Sequence, residues 1–189
     1  MVSPKINFSR SATIRTLIVA SAAMILVATA AARDHGPFQP ASVDVYFSPK
    51  GGATQACVDV IAAAKTSINV QAYSFTSAPI AAALVAAHKR GVKVAVILDK
   101  SQKTANYSEA DFIAHAGIAT LIDSKHAIAH NKIVIVDASV VITGSFNFSK
   151  AAESSNAENL LVIRDIKLAA RYLANWRDHA LHSVTYLGR

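Results

Sequence analysis

Residues 130–147 read H-N-K-I-V-I-V-D-A-S-V-V-I-T-G-S-F-N, and their two β-branched runs decide the fold. Residues 133–136 and 140–143 are all β-branched, which reads as two consecutive strands. Side chains two apart in a strand share a face. His130 and Lys132 therefore project together from the first strand, and Ser145 and Asn147 project together beyond the second. As neighbours, the two strands bring an imidazole, an ammonium, a hydroxyl and an amide into one small volume. That set suits an anionic, oxygen-rich substrate. Lysine supplies charge, serine and asparagine supply neutral donors, and histidine attacks or moves protons near neutral pH. Asp137, followed by Ala138 and Ser139, reads as the hairpin turn, and Gly144 closes the second run. Each fragment alone is unspecific: a His-x-Lys is common and a Gly-Ser is usually a turn. The ordered spacing H-x-K-x4-D-x6-G-S fixes five residues and is far more selective.

Outward from this stretch, strand-like and helix-like segments alternate. Strands are expected at 43–47, 68–75, 93–98, 119–122 and 159–163, and helices at 54–65, 78–89, 108–115 and 166–181. Pro79 opens the second helix, where proline is tolerated, and Arg90-Gly91 ends it. The pattern predicts an α/β fold, a mixed sheet with helices on both faces, in a single domain over 41–189. With 189 residues there is room for one domain with a sizeable core.

Residues 1–32 read as a secretory signal peptide, followed by a short N-terminal segment, 33–40. Lys5, Arg10 and Arg15 precede an uncharged run from Leu17 to Ala32 that ends in small residues. At 16 residues the run is short for a membrane span, which favours cleavage and a periplasmic or secreted product over an uncleaved anchor. A mitochondrial targeting peptide fits the arginines and the lack of acids, but not the strongly apolar run. After cleavage no stable membrane association is expected. The whole chain carries 19 basic and 12 acidic residues. Without the three basic residues before position 33, 16 basic residues face 12 acidic ones, a net charge of about +4. That balance fits a polyanionic partner without requiring one. Cys57, the single cysteine, has no internal disulfide partner; it reads as packing within a helix, with an intersubunit disulfide as the alternative.

At His130, Lys132, Asp137, Gly144, Ser145 and Asn147 the sequence resembles the phospholipase D superfamily, whose signature is H-x-K-x4-D followed by Gly-Ser and an Asn. The segments A-Y-S-F-T (72–76), L-V-A-A-H-K-R-G-V-K-V (84–94), G-S-F-N-F-S-K-A-A-E (144–153) and N-A-E-N (156–159) look like the small, single-motif bacterial endonucleases of that superfamily. These are exported and act on nucleic acid without sequence preference. The similarity spans roughly 41–180. The resemblance implies a metal-independent phosphodiesterase with no cofactor, working through a phosphohistidine on His130. Lys132, Ser145 and Asn147 would hold the phosphate oxygens. Glu158 would orient the His130 ring, and Asp137 and Gly144 would be structural.

No second H-x-K-x4-D is present, although displacement at phosphorus needs a nucleophile on one side and an acid on the other. A two-fold homodimer sharing one site between two copies of His130 is therefore expected. Tyr73 and Phe75 are candidates to stack on a base or to pack in the core. Lys93, with Lys89 and Arg90, is placed either on backbone phosphates or at a helix end. His179 and His182 read as a solvated surface pair, and no third ligand has metal-site spacing, so no metal is expected. The leading reading is a non-specific endonuclease on DNA, with RNA as a further substrate. The alternatives are a phospholipase D or phosphatidyltransferase acting on lipid phosphodiesters, and a non-catalytic nucleic-acid-binding relative.

Overall fold

The computed structural model describes residues 39–189; residues 1–32, expected from the sequence to be a signal peptide, and most of the segment 33–40 lie outside them. Eight strands form one mixed sheet in the order β1-β7-β6-β5-β2-β3-β4-β8. The strands are β1 (Ser42–Ser48), β2 (Ser67–Ala72), β3 (Lys93–Asp99), β4 (Ala119–Asp123), β5 (Lys132–Val136), β6 (Val140–Gly144), β7 (Glu158–Arg164) and β8 (Val184–Thr185). β2, β3 and β4 run parallel, joined by crossovers through α2 (Ala78–Lys89) and α3 (Ala110–His115). β5, β6, β7 and β1 pair antiparallel in succession, and β5 is also antiparallel to β2. All five residues of β5 are buried, which explains its unbroken apolar run: a strand covered on both faces needs no polar side.

Helices cover both faces. α1 (Ala53–Ala62), α2 and α3 lie over one, where Ile61, Leu84, Ile113, Ile68, Val96 and Val134 join the main core. The long α5 (Ile166–Ala180) crosses the other face, packing Ala169 and Trp176 on Ile97, Ile133, Ile135 and Val141. Trp176 Nε1 donates to the Val70 carbonyl at 2.8 Å, so its buried N–H is satisfied. Asp165 caps the start of α5 by accepting from the Leu168 amide at 2.8 Å.

The predicted strand 68–75 stops at Ala72, because the chain then turns toward α2. Tyr73 N–H still reaches the Asn131 carbonyl, and Phe75 forms an isolated bridge with Phe148. A short helix not expected from the sequence, α4 (Lys150–Ser154), carries Glu153 to the N-terminus of α1. There its carboxylate accepts from the Gly52 and Thr54 amides at 3.2 and 2.7 Å. Cys57 is fully buried in α1, and burial, followed by the charge of Glu153, pushes its thiol up to about 12. It is packing, as expected, and chemically inert. Arg90 donates to the Ile61 and Ala62 carbonyls and so satisfies the C-terminal end of α1.

Candidate active site

The hairpin β5–β6 turns through three residues, Asp137–Ser139, with Asp137 and Ala138 both left-handed at φ 50°. This fixes the register Ile133↔Thr143, with Val136 opposite Val140. Lys132 pairs with Ala72 on β2, and Gly144 pairs with Leu160 on β7. His130, Lys132, Ser145, Asn147 and Glu158 therefore gather at one end of four adjacent strands. This is the end where the parallel strands finish, where open α/β sheets commonly bind ligands.

Lys132 is 7% exposed. Its Nζ donates to the His130 carbonyl at 2.9 Å and sits 5.2 Å from the Tyr73 ring centroid. Burial pushes the ammonium below the usual lysine range, and the nearby Glu158 carboxylate partly restores it. The result is a positive charge held still and poorly hydrated, suited to gripping a phosphate oxygen. The His130 ring is exposed and lies against Tyr73, with centroids 4.6 Å apart. Among the described residues it has no hydrogen-bond partner, so both ring nitrogens are open to substrate or to another chain. Glu158 accepts from Asn156 Nδ2 at 3.1 Å and is not bonded to His130 within the chain.

Ser145 Oγ accepts the Asn159 amide at 3.0 Å, and its own O–H is free to donate to a ligand. Gly144, at φ 151°, lets β7 approach closely: a Cβ here would lie 2.2 Å from the Asn159 carbonyl oxygen. Asn147 Oδ1 and Gln71 Oε1 are buried without partners. Gln71 Nε2 donates to Asn131 Oδ1 at 3.1 Å, pinning the residue between His130 and Lys132. Gln71 was missed in the sequence, where its signal was a lone amide inside an apolar strand. Asp99 was missed too: its carboxylate accepts the Ala129 amide at 2.7 Å and anchors the loop that carries His130.

Asp137 lies at the opposite end of β5, five residues from Lys132 and so about 17 Å away at ~3.3 Å per residue. Its carboxylate accepts the amides of Lys65, Thr66 and Ser67 and the Thr66 hydroxyl, at 2.8–3.0 Å. Burial alone would raise its pKa, but these donors outweigh it and hold the group at about 2.

Three expectations are corrected. Phe75 is 0% exposed and is a core residue, closed to any base. Lys93 starts β3 opposite Ser67, at the far end of the sheet from Lys132, and so stands outside the cluster around His130. His179 and His182 are not a solvated pair; they turn inward with His126 onto Asp123. Of the tentative substrate contacts only Tyr73 stands at the site.

An exposed imidazole beside a buried ammonium, with Ser145 and Asn147 at the same strand ends, on a mixed α/β sheet, defines an enzyme of the phosphodiesterase type. The chain belongs to the phospholipase D-like family. The model of the family described as "Cardiolipin synthase, PLD-like domain" matches residues 57–179. A protein named phospholipase D from Rickettsia bellii is 44% identical over 134 residues, covering 71% of this chain and 67% of that protein. A mitochondrial cardiolipin hydrolase from Xenopus laevis is 35% identical over 109 residues, covering 58% and 52%. Among solved structures, Nuc from Salmonella typhimurium, a phospholipase D family member, superposes with TM-score 0.74 at 46% identity, covering 78% of this chain and 99% of that one.

Proposed function

We propose that the protein is a non-specific endonuclease acting on DNA, and on RNA as a further substrate, through a phosphohistidine formed in a site shared by two copies of the chain. The observation that carries this reading is the fixed Lys132 ammonium beside a His130 ring that has no hydrogen-bond partner among the described residues, on a chain that matches Nuc over nearly all of Nuc's length. One His130 nitrogen attacks phosphorus. The bond from phosphorus to the leaving oxygen breaks, and that oxygen takes a proton from His130 of the second copy. Water then attacks phosphorus and gives a proton to that second histidine; the new phosphorus–oxygen bond replaces the phosphorus–nitrogen bond, which breaks and frees the first histidine. Lys132, Ser145 and Asn147 neutralise the non-bridging oxygens, which is the part a metal plays in other phosphodiesterases. Tyr73 offers a ring beside the reacting phosphate for an adjoining base. Glu158 orients the His130 ring once the second copy completes the site.

A second copy is supported by a bare apolar face. α5 stops short of β1 and β7, leaving Val43, Val45 and Phe47 exposed, Phe47 by 65%. Phe47 pairs with Asn159, so this face runs up to the site itself. Two such faces can meet about a two-fold axis and bury this apolar surface. Export to the periplasm follows from residues 1–32 as read from the sequence.

The lipid reading has its own support in the relatives named phospholipase D and cardiolipin hydrolase. One experiment separates the two. Purified protein is incubated in excess EDTA with supercoiled plasmid and, separately, with vesicles of phosphatidylcholine and cardiolipin, with His130→Ala alongside. Loss of supercoils by the wild type alone is expected. An intact plasmid with head-group release from the vesicles would overturn the nuclease reading. Equal activity of His130→Ala would overturn the mechanism.

A further inference from the structure

Outside the site just described, a dense group of chemically capable side chains among the described residues stands at the end of β4. The Asp123 side chain is 0% exposed. Its Oδ2 faces three ring nitrogens: His179 Nδ1 at 2.7 Å, His126 Nδ1 at 3.0 Å and His182 Nε2 at 3.3 Å. Its Oδ1 accepts the Lys125 amide at 3.0 Å and also lies 3.2 Å from His126 Nδ1. The three rings surround the carboxylate with centroids 4.8, 5.2 and 5.3 Å apart. His179 and His182 are only 15% and 22% exposed in their side chains. One carboxylate oxygen has about two lone pairs, so three imidazole N–H groups oversubscribe it. The arrangement is relieved if the imidazoles turn lone pairs inward and a cation takes the centre.

We propose that Asp123, His126, His179 and His182 form a structural binding site for a divalent transition-metal ion, zinc first. One ligand atom from each residue lies within 4.8 Å of the others. Zinc bonds of about 2.0–2.1 Å place tetrahedral ligands about 3.4 Å apart. Closing the site therefore needs shifts on the order of 1 Å, which side-chain rotation of the more exposed His126 and His182 supplies. Three neutral imidazoles and one carboxylate suit zinc, and also cobalt, nickel and copper. They do not suit calcium or magnesium, which take oxygen ligands. Four protein ligands leave no open position, so the ion holds structure and takes no part in the reaction.

Its role follows from where the ligands come from. Asp123 ends β4, His126 follows in the next loop, His179 lies in the last turn of α5, and His182 stands just before β8. The ion would clasp α5 and β8 onto β4. Asp123 pairs with Asp99, the residue that anchors Ala129, and Lys100 Nζ holds the His126 carbonyl at 3.0 Å. The clasp thus fixes the start of the loop 124–131 that delivers His130, while lying three strands, about 14 Å, from β5 at ~4.8 Å per strand.

The test uses protein stripped by chelation and titrated with Zn2+ by calorimetry and with Co2+ by visible absorption. The comparison proteins are His179→Ala, His182→Ala and His130→Ala. The expected result is one zinc per chain and the intense visible bands of tetrahedral Co2+. Binding should be at least 100-fold weaker in His179→Ala and His182→Ala and unchanged in His130→Ala. Zinc should also raise the melting temperature and slow amide exchange over 124–131. Failure to bind one ion per chain, an octahedral Co2+ spectrum, equal binding by the His179 and His182 variants, or unchanged exchange in the loop would each overturn the proposal. If a variant does not fold, the wild-type stoichiometry and spectrum still decide. None of these readouts depends on nuclease activity, so the nuclease reading can fail while this one stands.

Discussion

Replacing Asp137 by alanine should destabilise the protein while leaving each folded molecule's chemistry intact. The carboxylate accepts four hydrogen bonds, three from consecutive backbone amides at the corner between α1 and β2 and one from the Thr66 hydroxyl. Hydrogen bonds to a charged group contribute about 1.5–3 kcal/mol each, but not additively, and water can reach Lys65 and Thr66 once the carboxylate is gone. A net loss of about 2–3 kcal/mol is expected, equivalent to a fall of about 5–10 °C in Tm for a domain of this size. The pH dependence carries the sign. The folded pKa, at about 2, lies below the ordinary 3.8. The carboxylate's contribution is therefore fully present above pH 3.8 and is lost as pH falls through about 2. Urea unfolding of both proteins at pH 7 and at pH 2.5 tests this. The gap between them should be full at the first and much reduced at the second. Turnover per folded molecule should match the wild type, because the site is about 17 Å away along β5. Equal stability at pH 7, a gap indifferent to acid, or a large loss of turnover in a folded variant would refute the reasoning.

Other perturbations separate structure from chemistry elsewhere. Gly144→Ala places a Cβ 2.2 Å from the Asn159 carbonyl oxygen in a backbone conformation alanine rarely adopts, so the β6–β7 ladder must shift. A loss of about 3 kcal/mol or more in urea unfolding is expected, together with lost activity. Lys132→Met removes a buried ammonium whose pKa burial pushes down, so Tm at pH 7 should hold or rise while turnover falls about 10³-fold. The wild type should gain on this variant as pH rises toward 10.5, because the cost of burying the charge disappears as the lysine loses its proton. Phe47→Asp puts a charge on the bare β1 face and should give a folded monomer by sedimentation with turnover near that of His130→Ala. A dimeric, active variant would move the interface elsewhere.

The sequence by itself determined whatever depends on neighbours along the chain. The two-residue spacing at the start of a β-branched run set the common face of His130 and Lys132, and the turn at Asp137 set the pairing that brings Ser145 to the same strand ends. The helix boundaries at Pro79 and Arg90-Gly91 were equally local. Only the tertiary structure decided which end of the sheet each residue occupies. Lys93 and Asp137 fall at the end where parallel strands begin, away from the site, and Phe75 leaves its strand to enter the core. The Asp123 cluster was out of reach for the same reason. Asp123 and His126 lie more than fifty positions before His179 and His182, and they meet because β4 and the end of α5 are brought together by strand order and helix packing. Spacing along a chain reports contacts within one element or one hairpin. Contacts between elements are fixed by the sheet, whose strand order no local pattern encodes.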